Sequence, residues 1–259
     1  MENNKGIRIL SSSSIKHIAL ILMFINHAST CFYNAFPPAE GDVWYRLHWY
    51  LTRASFVLFT FLLSEGMVHT KSRPRYILSL LFFAFASEMP QDLALRGKLL
   101  DLKGLNVFFT LALGAFAIYV IDVALKESKA LAVLAGAGAV ILAYFLHTEY
   151  SWLGILLILV MYYLRKYPAI RFAAAAAVLF VPNFMLAAWH YRSIGLAAAA
   201  LCGAKKSFMQ FCGITAFIPI FMYNGQKGRS LPKYFYYVFY PAHFLVLYAF
   251  FEILKFLLK

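Results

Sequence analysis

The sequence predicts an all-α fold, a bundle of about ten transmembrane helices, and three observations predict it. Hydrophobic residues make up 63% of the 259 positions and charged ones only 14%. The mean hydropathy is +0.70. The apolar residues stand in continuous runs and do not alternate with polar ones. Polar surface this scarce cannot clothe a water-soluble globule, and the runs do not suit a β-barrel, whose strands are about ten residues long with polar and apolar positions interleaved. No soluble domain, Gly/Ser linker, low-complexity tract or internal repeat interrupts the pattern, so residues 1–259 are expected to form one integral-membrane domain.

Ten runs follow in order. The first, 15–36, opens beside Lys16 and carries Asn26 and His27 inside it; no small-x-small site follows, so it reads as a retained helix and not a cleaved signal. The second, 47–69, holds Arg53 and ends on Glu65 and His69, and the third, 76–96, holds Glu88, Pro90 and Asp92. Asn106 and Thr110 stand at the start of the fourth, 105–125. In the fifth, 130–147, Ala132 with Gly136 and Ala135 with Ala139 suit close helix packing, as does the Ala173–Ala177 stretch of the seventh, 170–188. The sixth is 150–164. The eighth, 190–203, is short for a span of about 20 residues and contains Arg192, so nine spans with a re-entrant piece are an alternative. The last two are 208–223 and 234–258; Pro182, Pro219 and Pro241, like Pro90, are expected to kink or break their helices.

A net charge of +13 would suit nucleic acid, but the basic residues sit in loops with no aromatic-interleaved soluble surface around them. Topology accounts for them better. With the N-terminus inside, Lys5, Arg8 and Lys16 are followed by inner loops carrying Lys71, Arg73 and Arg75, then Lys126 and Lys129, then Arg165, Lys166 and Arg171, then Lys205 and Lys206. The first outer loop is acidic through Glu40 and Asp42, as the positive-inside rule requires. Ten spans put the C-terminus inside as well. Two outer loops break the rule, one with Arg96, Lys98 and Lys103, the other with Lys227, Arg229 and Lys233.

Cys31, Cys202 and Cys212 have no metal or redox spacing and read as small apolar fillers; no metal is expected. No phosphate loop or Gly-x-Ser-x-Gly elbow is present. The chemistry therefore rests on the intramembrane polar residues, which are costly at that depth and functional by default. At ~1.5 Å per residue across a ~30 Å core, His27 lies about 18 Å from the inner face, while Arg53, Glu88 and His243 lie about 10, 10 and 14 Å below the outer one. Two imidazoles, a guanidinium and a carboxylate thus share an outer-half layer. Against this, Arg53 and Glu88 also read as a buried ion pair that fixes packing, Asp92 as an interfacial residue, and Glu65 with His69 as a solvated inner end.

At these residues the chain resembles the TraX family, membrane proteins named for N-terminal acetylation of a conjugative pilin. The family's opening pattern, Ile-Lys-x-Ile-Ala-x-Ile-x-Met-x-x-Asp-His, is matched by residues 15–27 with Asn26 in place of the aspartate. Arg53, Phe56, Glu65 and Gly66 meet the second-helix pattern, and Ser87, Glu88, Pro90 and Asp92 meet the Ser-Glu-x-Pro-x-Asp element. Asn106 to Thr110, Tyr150-Ser-Trp152-x-Gly154, Phe217 to Gly225 and Tyr240-Pro-Ala-His243 follow in the same order. The resemblance implies a multi-pass acetyltransferase of the bacterial cytoplasmic membrane that uses acetyl-CoA as donor. A histidine late in the first helix is also similar to the broader membrane acyltransferase families, where it is the proposed base.

Residue chemistry fits this implication. An α-amino acceptor of pKa ~7.7–8.0 is mostly protonated at neutral pH, and an imidazole is the side chain suited to deprotonate it. His27 is the favoured base, with Asn26 able to order it; His243 is the alternative. Arg53 or Asn106 would stabilise the oxyanion, and Glu88 would replace the missing aspartate. Arg73, Arg75, Arg165, Lys166 and Arg171 would hold the CoA phosphates at the inner mouth. The acceptor, a peptide, a glycan or a small amine, would arrive from the outer side. A proton-coupled transporter or lipid-headgroup flippase and a non-catalytic assembly factor are the competing readings.

Overall fold

The computed structural model describes residues 8–101, 103–229 and 231–258. Among them the chain forms eleven α-helices: α1 (Ser12–Ala35), α2 (Val43–Thr52), α3 (Ala54–His69), α4 (Arg73–Arg96), α5 (Val107–Ala124), α6 (Lys129–Phe145), α7 (Ser151–Tyr163), α8 (Pro168–His190), α9 (Leu196–Phe211), α10 (Phe217–Phe221) and α11 (Lys233–Leu257). Only isolated bridges, Leu10 to Tyr223 and Leu105 to Thr148, represent β pairing among the described residues.

Local chemistry sets several helix starts. Ser11, Asp42, Asn106 and Ser128 each accept a backbone N–H of the first turn through the side chain, a cap worth ~1 kcal/mol. Pro74 and Pro168 occupy first-turn positions of α4 and α8, where the missing N–H costs nothing. At the other end of α4, Gly97 takes the left-handed conformation that closes the helix at φ +64°.

Side-chain pattern then sorts the helices into layers. α3 and α5 are apolar on nearly every face and are the most enclosed spans, as an all-round apolar helix must be. α1, α11, α4, α5, α6, α7, α8 and α9 each pack on the next, α2 closes the ring back to α1, and α3 lies against α1, α5 and α7. The outward faces of α1, α4, α6, α8 and α11 expose Ile21, Phe82, Leu134, Met185 and Phe250, surface that only lipid can cover. Among the described residues six helical stretches are long and apolar enough to cross a bilayer, the joined α2–α3 among them. The chain is a multi-pass membrane protein.

Two expectations change. Positions 190–203 and 208–223 are not separate spans: α9 runs through 203–211 and continues by a 3-10 turn, Cys212–Ala216, into α10. Nine helical runs result among the described residues, and the odd number reverses the last helix. α11 lies parallel to α1, with the Lys16 ammonium over the Tyr236 ring at 4.4 Å near their starts and the Phe32 and Phe251 rings 6.3 Å apart near their ends. Arg8 and Leu258 therefore lie at opposite ends of the bundle, not on one side. The loop with Lys227 and Arg229 joins the N-terminal end, where Ser13 N–H donates to Lys227 O at 3.0 Å. That end now gathers Arg8, Lys71, Arg75, Lys126, Lys166 and Arg229, so one apparent breach of charge asymmetry disappears. Lys205 and Lys206, expected in an inner loop, are exposed residues within α9. Lys5 lies outside the described residues.

Candidate functional site

α1 and α11 bring His27 and His243 together. His27 Nδ1 lies 2.8 Å from His243 Nε2, and the rings stack at 5.1 Å between centroids. Both are buried, at 6% and 4% exposure, against Phe24, Phe239, Tyr240 and Phe244. The proton positions follow from the partners. His243 Nδ1 faces the Phe239 carbonyl at 3.0 Å, which only accepts, so in the neutral pair that nitrogen carries the hydrogen. His243 Nε2 then accepts from His27 Nδ1–H, and His27 Nε2 is left as the unprotonated nitrogen of the pair.

Asn26 does not order His27. Its Oδ1 accepts from the Thr52 hydroxyl at 2.9 Å, tying α1 to α2. The orienting partner is His243, two hundred residues away.

Tyr240, one turn before His243 on α11, packs edge-on against both imidazoles. Its hydroxyl donates to Gln91 Oε1 at 2.7 Å. Glu88, on the same face of α4, accepts the Asn106 side-chain N–H at 2.6 Å and its backbone N–H at 3.1 Å through Oε2. Asn106 spends its second side-chain hydrogen on the Ala84 carbonyl and its oxygen on Phe108 N–H. Both amide donors are thus engaged in seating the start of α5 on α4, and the carboxylate sits where the helix dipole favours it. Glu88 Oε1 is buried without a partner.

The alternative reading of Arg53 and Glu88 as a buried ion pair is not met among the described residues. Arg53 stands at the break between α2 and α3, its guanidinium 4.7 Å from the centre of the Trp49 ring and lining the same cavity as Tyr150. Asp92 is not interfacial but fully buried: Arg96 and the Asp101 N–H each bind it at 2.6 Å, anchoring the α4–α5 loop. That loop is zipped to the α6–α7 loop by Leu105 N–H to His147 O and Glu149 N–H to Leu105 O. His147 and Ser151 hold φ of +50° and +47°, sparsely populated values for non-glycine residues. The loop so fixed places Glu149 and Tyr150 beside Arg53 in a cavity of about 260 Å³, where Phe56 and Tyr150 stack at 3.4 Å.

At the basic end the five expected phosphate ligands divide. Arg73 is committed to Asp122 at 2.6 Å and to the Tyr162 hydroxyl at 2.7 Å. Arg171 is buried over the Phe61 ring, close to Glu65, which accepts from Tyr223. Arg165 binds the Tyr162 carbonyl and lies over that residue's ring. Arg75 and Lys166 are exposed.

Gln91, Glu149 and Asp122 were not singled out in the sequence, and Tyr240 was given no role of its own. Tyr240 carried a signal, standing three residues before His243 in the Tyr-Pro-Ala-His element. Glu149 carried none, since it sits in a loop between two spans.

Among known proteins, the chain is 25% identical over 253 residues to "Probable fimbrial assembly protein FimC, serogroup H1" of Dichelobacter nodosus, covering 92% of this chain and 94% of that one. No solved structure matches it significantly. The sequence model described as "TraX protein" matches residues 11–250, a stretch that takes in both histidines, the seat of α5 and the Arg53 cavity, and the chain belongs to the TraX family.

Proposed function

We propose that the chain is a membrane acyltransferase that moves an acetyl group from acetyl-CoA to an amine or hydroxyl acceptor, with His27 as general base and His243 as the residue that orients it. The observation that carries this reading is the 2.8 Å contact of the two imidazoles together with the Phe239 carbonyl that fixes their protons. In the transfer, the acceptor nitrogen or oxygen attacks the thioester carbonyl while His27 Nε2 takes its proton. The C–S bond then breaks, and the imidazolium returns that proton to the CoA thiolate.

The basic end faces the cytoplasm in this reading, as the positive-inside rule places it in a bacterial cytoplasmic membrane. Arg75 and Lys166 are exposed there and Arg165 is half-buried, and these three are the ones to meet the CoA phosphates. Arg73 serves mainly to pin the mouth through Asp122, while Arg171 is buried over Phe61 with its Nε unpartnered among the described residues. The related protein's name, a fimbrial assembly protein, points to a peptide acceptor from a surface-fibre subunit.

The protein purified in detergent is expected to bind acetyl-CoA and to release free CoA thiol when given an acceptor peptide. Binding without thiol release would leave an acceptor mismatch; absence of binding would favour a transporter or a non-catalytic assembly factor.

A further inference from the structure

We infer that the cavity between α3, α7, α8 and α9 is a binding site for a small zwitterion, a primary ammonium with an anionic oxygen group a few bonds away. The cavity neighbours the histidine pair without touching it: Glu149 and Tyr150 lie in the field of Tyr240, which packs on both imidazoles, but no hydrogen bond or ring contact among the described residues joins Arg53 or Glu149 to His27 or His243.

Two opposite charges share this cavity without closing on each other. Arg53 and Glu149 both line it, and each lies in the other's field, yet no N–O approach within ion-pair distance joins them among the described residues. The guanidinium Nε is buried and has no hydrogen-bond partner. A buried polar group in that condition costs ~1–3 kcal/mol, more for a charged one, and a ligand oxygen would remove the cost. Glu149 is exposed and lines the cavity, so it can accept from a ligand ammonium. Asn183 uses its amide hydrogen on the Leu179 carbonyl and keeps its oxygen for a ligand, and Gln210 adds an amide at the same wall.

These charges exclude the simpler ligands. A plain anion would meet the Glu149 carboxylate. A plain cation would meet Arg53 and also Arg46, which with Trp49 lines an adjoining outer groove that shares Arg53. An apolar molecule would leave both charges unmet. A group bearing both signs satisfies both walls, and about 260 Å³ suits a molecule of amino-acid or ethanolamine-phosphate size. The same chemistry exists as a free solute and as the headgroup of an ethanolamine phospholipid.

The test uses the full-length protein in detergent and in lipid nanodiscs. Phosphoethanolamine and alanine are titrated against it, with glycerol phosphate and ethanolamine as single-charge controls. Native mass spectrometry of protein loaded from equimolar phosphatidylethanolamine and phosphatidylglycerol reads the lipid source. A zwitterion should bind at least tenfold tighter than either control. Glu149→Gln should abolish that preference over glycerol phosphate, and Arg53→Gln the preference over ethanolamine. Selective retention of phosphatidylethanolamine assigns the lipid; binding of the free solutes alone assigns a small metabolite. Equal retention of both lipids with no solute binding, or a preference untouched by Glu149→Gln, overturns the inference. If Arg53→Gln does not fold, Gln210→Leu, which narrows the wall, must weaken zwitterion binding in its place.

Discussion

His27 Nδ1 and His243 Nε2 face each other at 2.8 Å across two helices that run in the same direction. The contact is directional, because the Phe239 carbonyl holds the far nitrogen of His243 as a donor. His27→Ala should therefore lower turnover per folded molecule by roughly 10²–10⁴-fold, the usual share of general-base catalysis, with acetyl-CoA binding kept. His243→Asn keeps an acceptor for His27 Nδ1–H and should lose less than His243→Ala. Equal losses for the two His243 variants would remove the orienting role.

The depth estimate joined these histidines although it counted α11 from the wrong end. His243 is ten residues into a 25-residue helix, so either end gives nearly the same depth. Arg53 had no such protection: depth alone cannot say which way a side chain turns, and it turns to Trp49 and Tyr150. The reversal of α11 was hidden because Lys205, Lys206 and the short run before them look like a loop between spans, while packing on α8, where Gly203 meets Phe184, keeps α9 continuous. Glu149 was illegible because a loop carries no periodicity to place its side chains.

Tyr240→Phe should separate packing from chemistry. The ring contacts with both histidines survive, but Gln91 Oε1 loses its donor inside the bundle. That leaves a buried acceptor unmet at a cost of ~1–3 kcal/mol, seen as a lower unfolding temperature in detergent. Tyr240→Phe protein with normal stability would mean that water or another donor replaces the hydroxyl.

Asp122 is the hinge pin of the basic end. It accepts from Arg73 at 2.6 Å and from the Tyr162 and Tyr163 hydroxyls at 2.8 Å each, joining α4, α5 and α7. Asp122→Ala leaves three donors without their acceptor and should destabilise by ~2–4 kcal/mol. Asp122→Asn should cost less. Denaturant or thermal unfolding in detergent checks the order of the two.

Nine helical runs predict an unusual reporter pattern. Fusions after Glu40 and after Leu258 should report the same side of the membrane, and an insertion at Gly225 the opposite side, because Ser12 N–H bonds the Gln226 carbonyl beside the start of α1. A C-terminal reporter on the Gly225 side would require a tenth crossing and would undo the parallel packing of α1 and α11.

Glu149 gives the protein a pH dependence of definite sign. Although Glu149 is exposed toward the cavity, the protein atoms crowded around it push its carboxyl up to about 7, against the opposing pull of Arg53, Arg96 and the Val107 N–H and with a smaller push from Glu88. In the unfolded chain the same group titrates near ~4.3. Between about 4.3 and about 7 the folded state holds more of its proton than the unfolded state, so stability falls as pH rises through that window and levels off above it. Glu149→Gln removes the titration and keeps the shape. Its unfolding temperature should match wild type near pH 4, exceed it near pH 8, and vary less between them. A wild-type curve already flat from pH 4 to 8, or a Glu149→Gln advantage that grows toward acid, would place the carboxylate in contact with enough water or counter-charge to titrate as it does in the open chain.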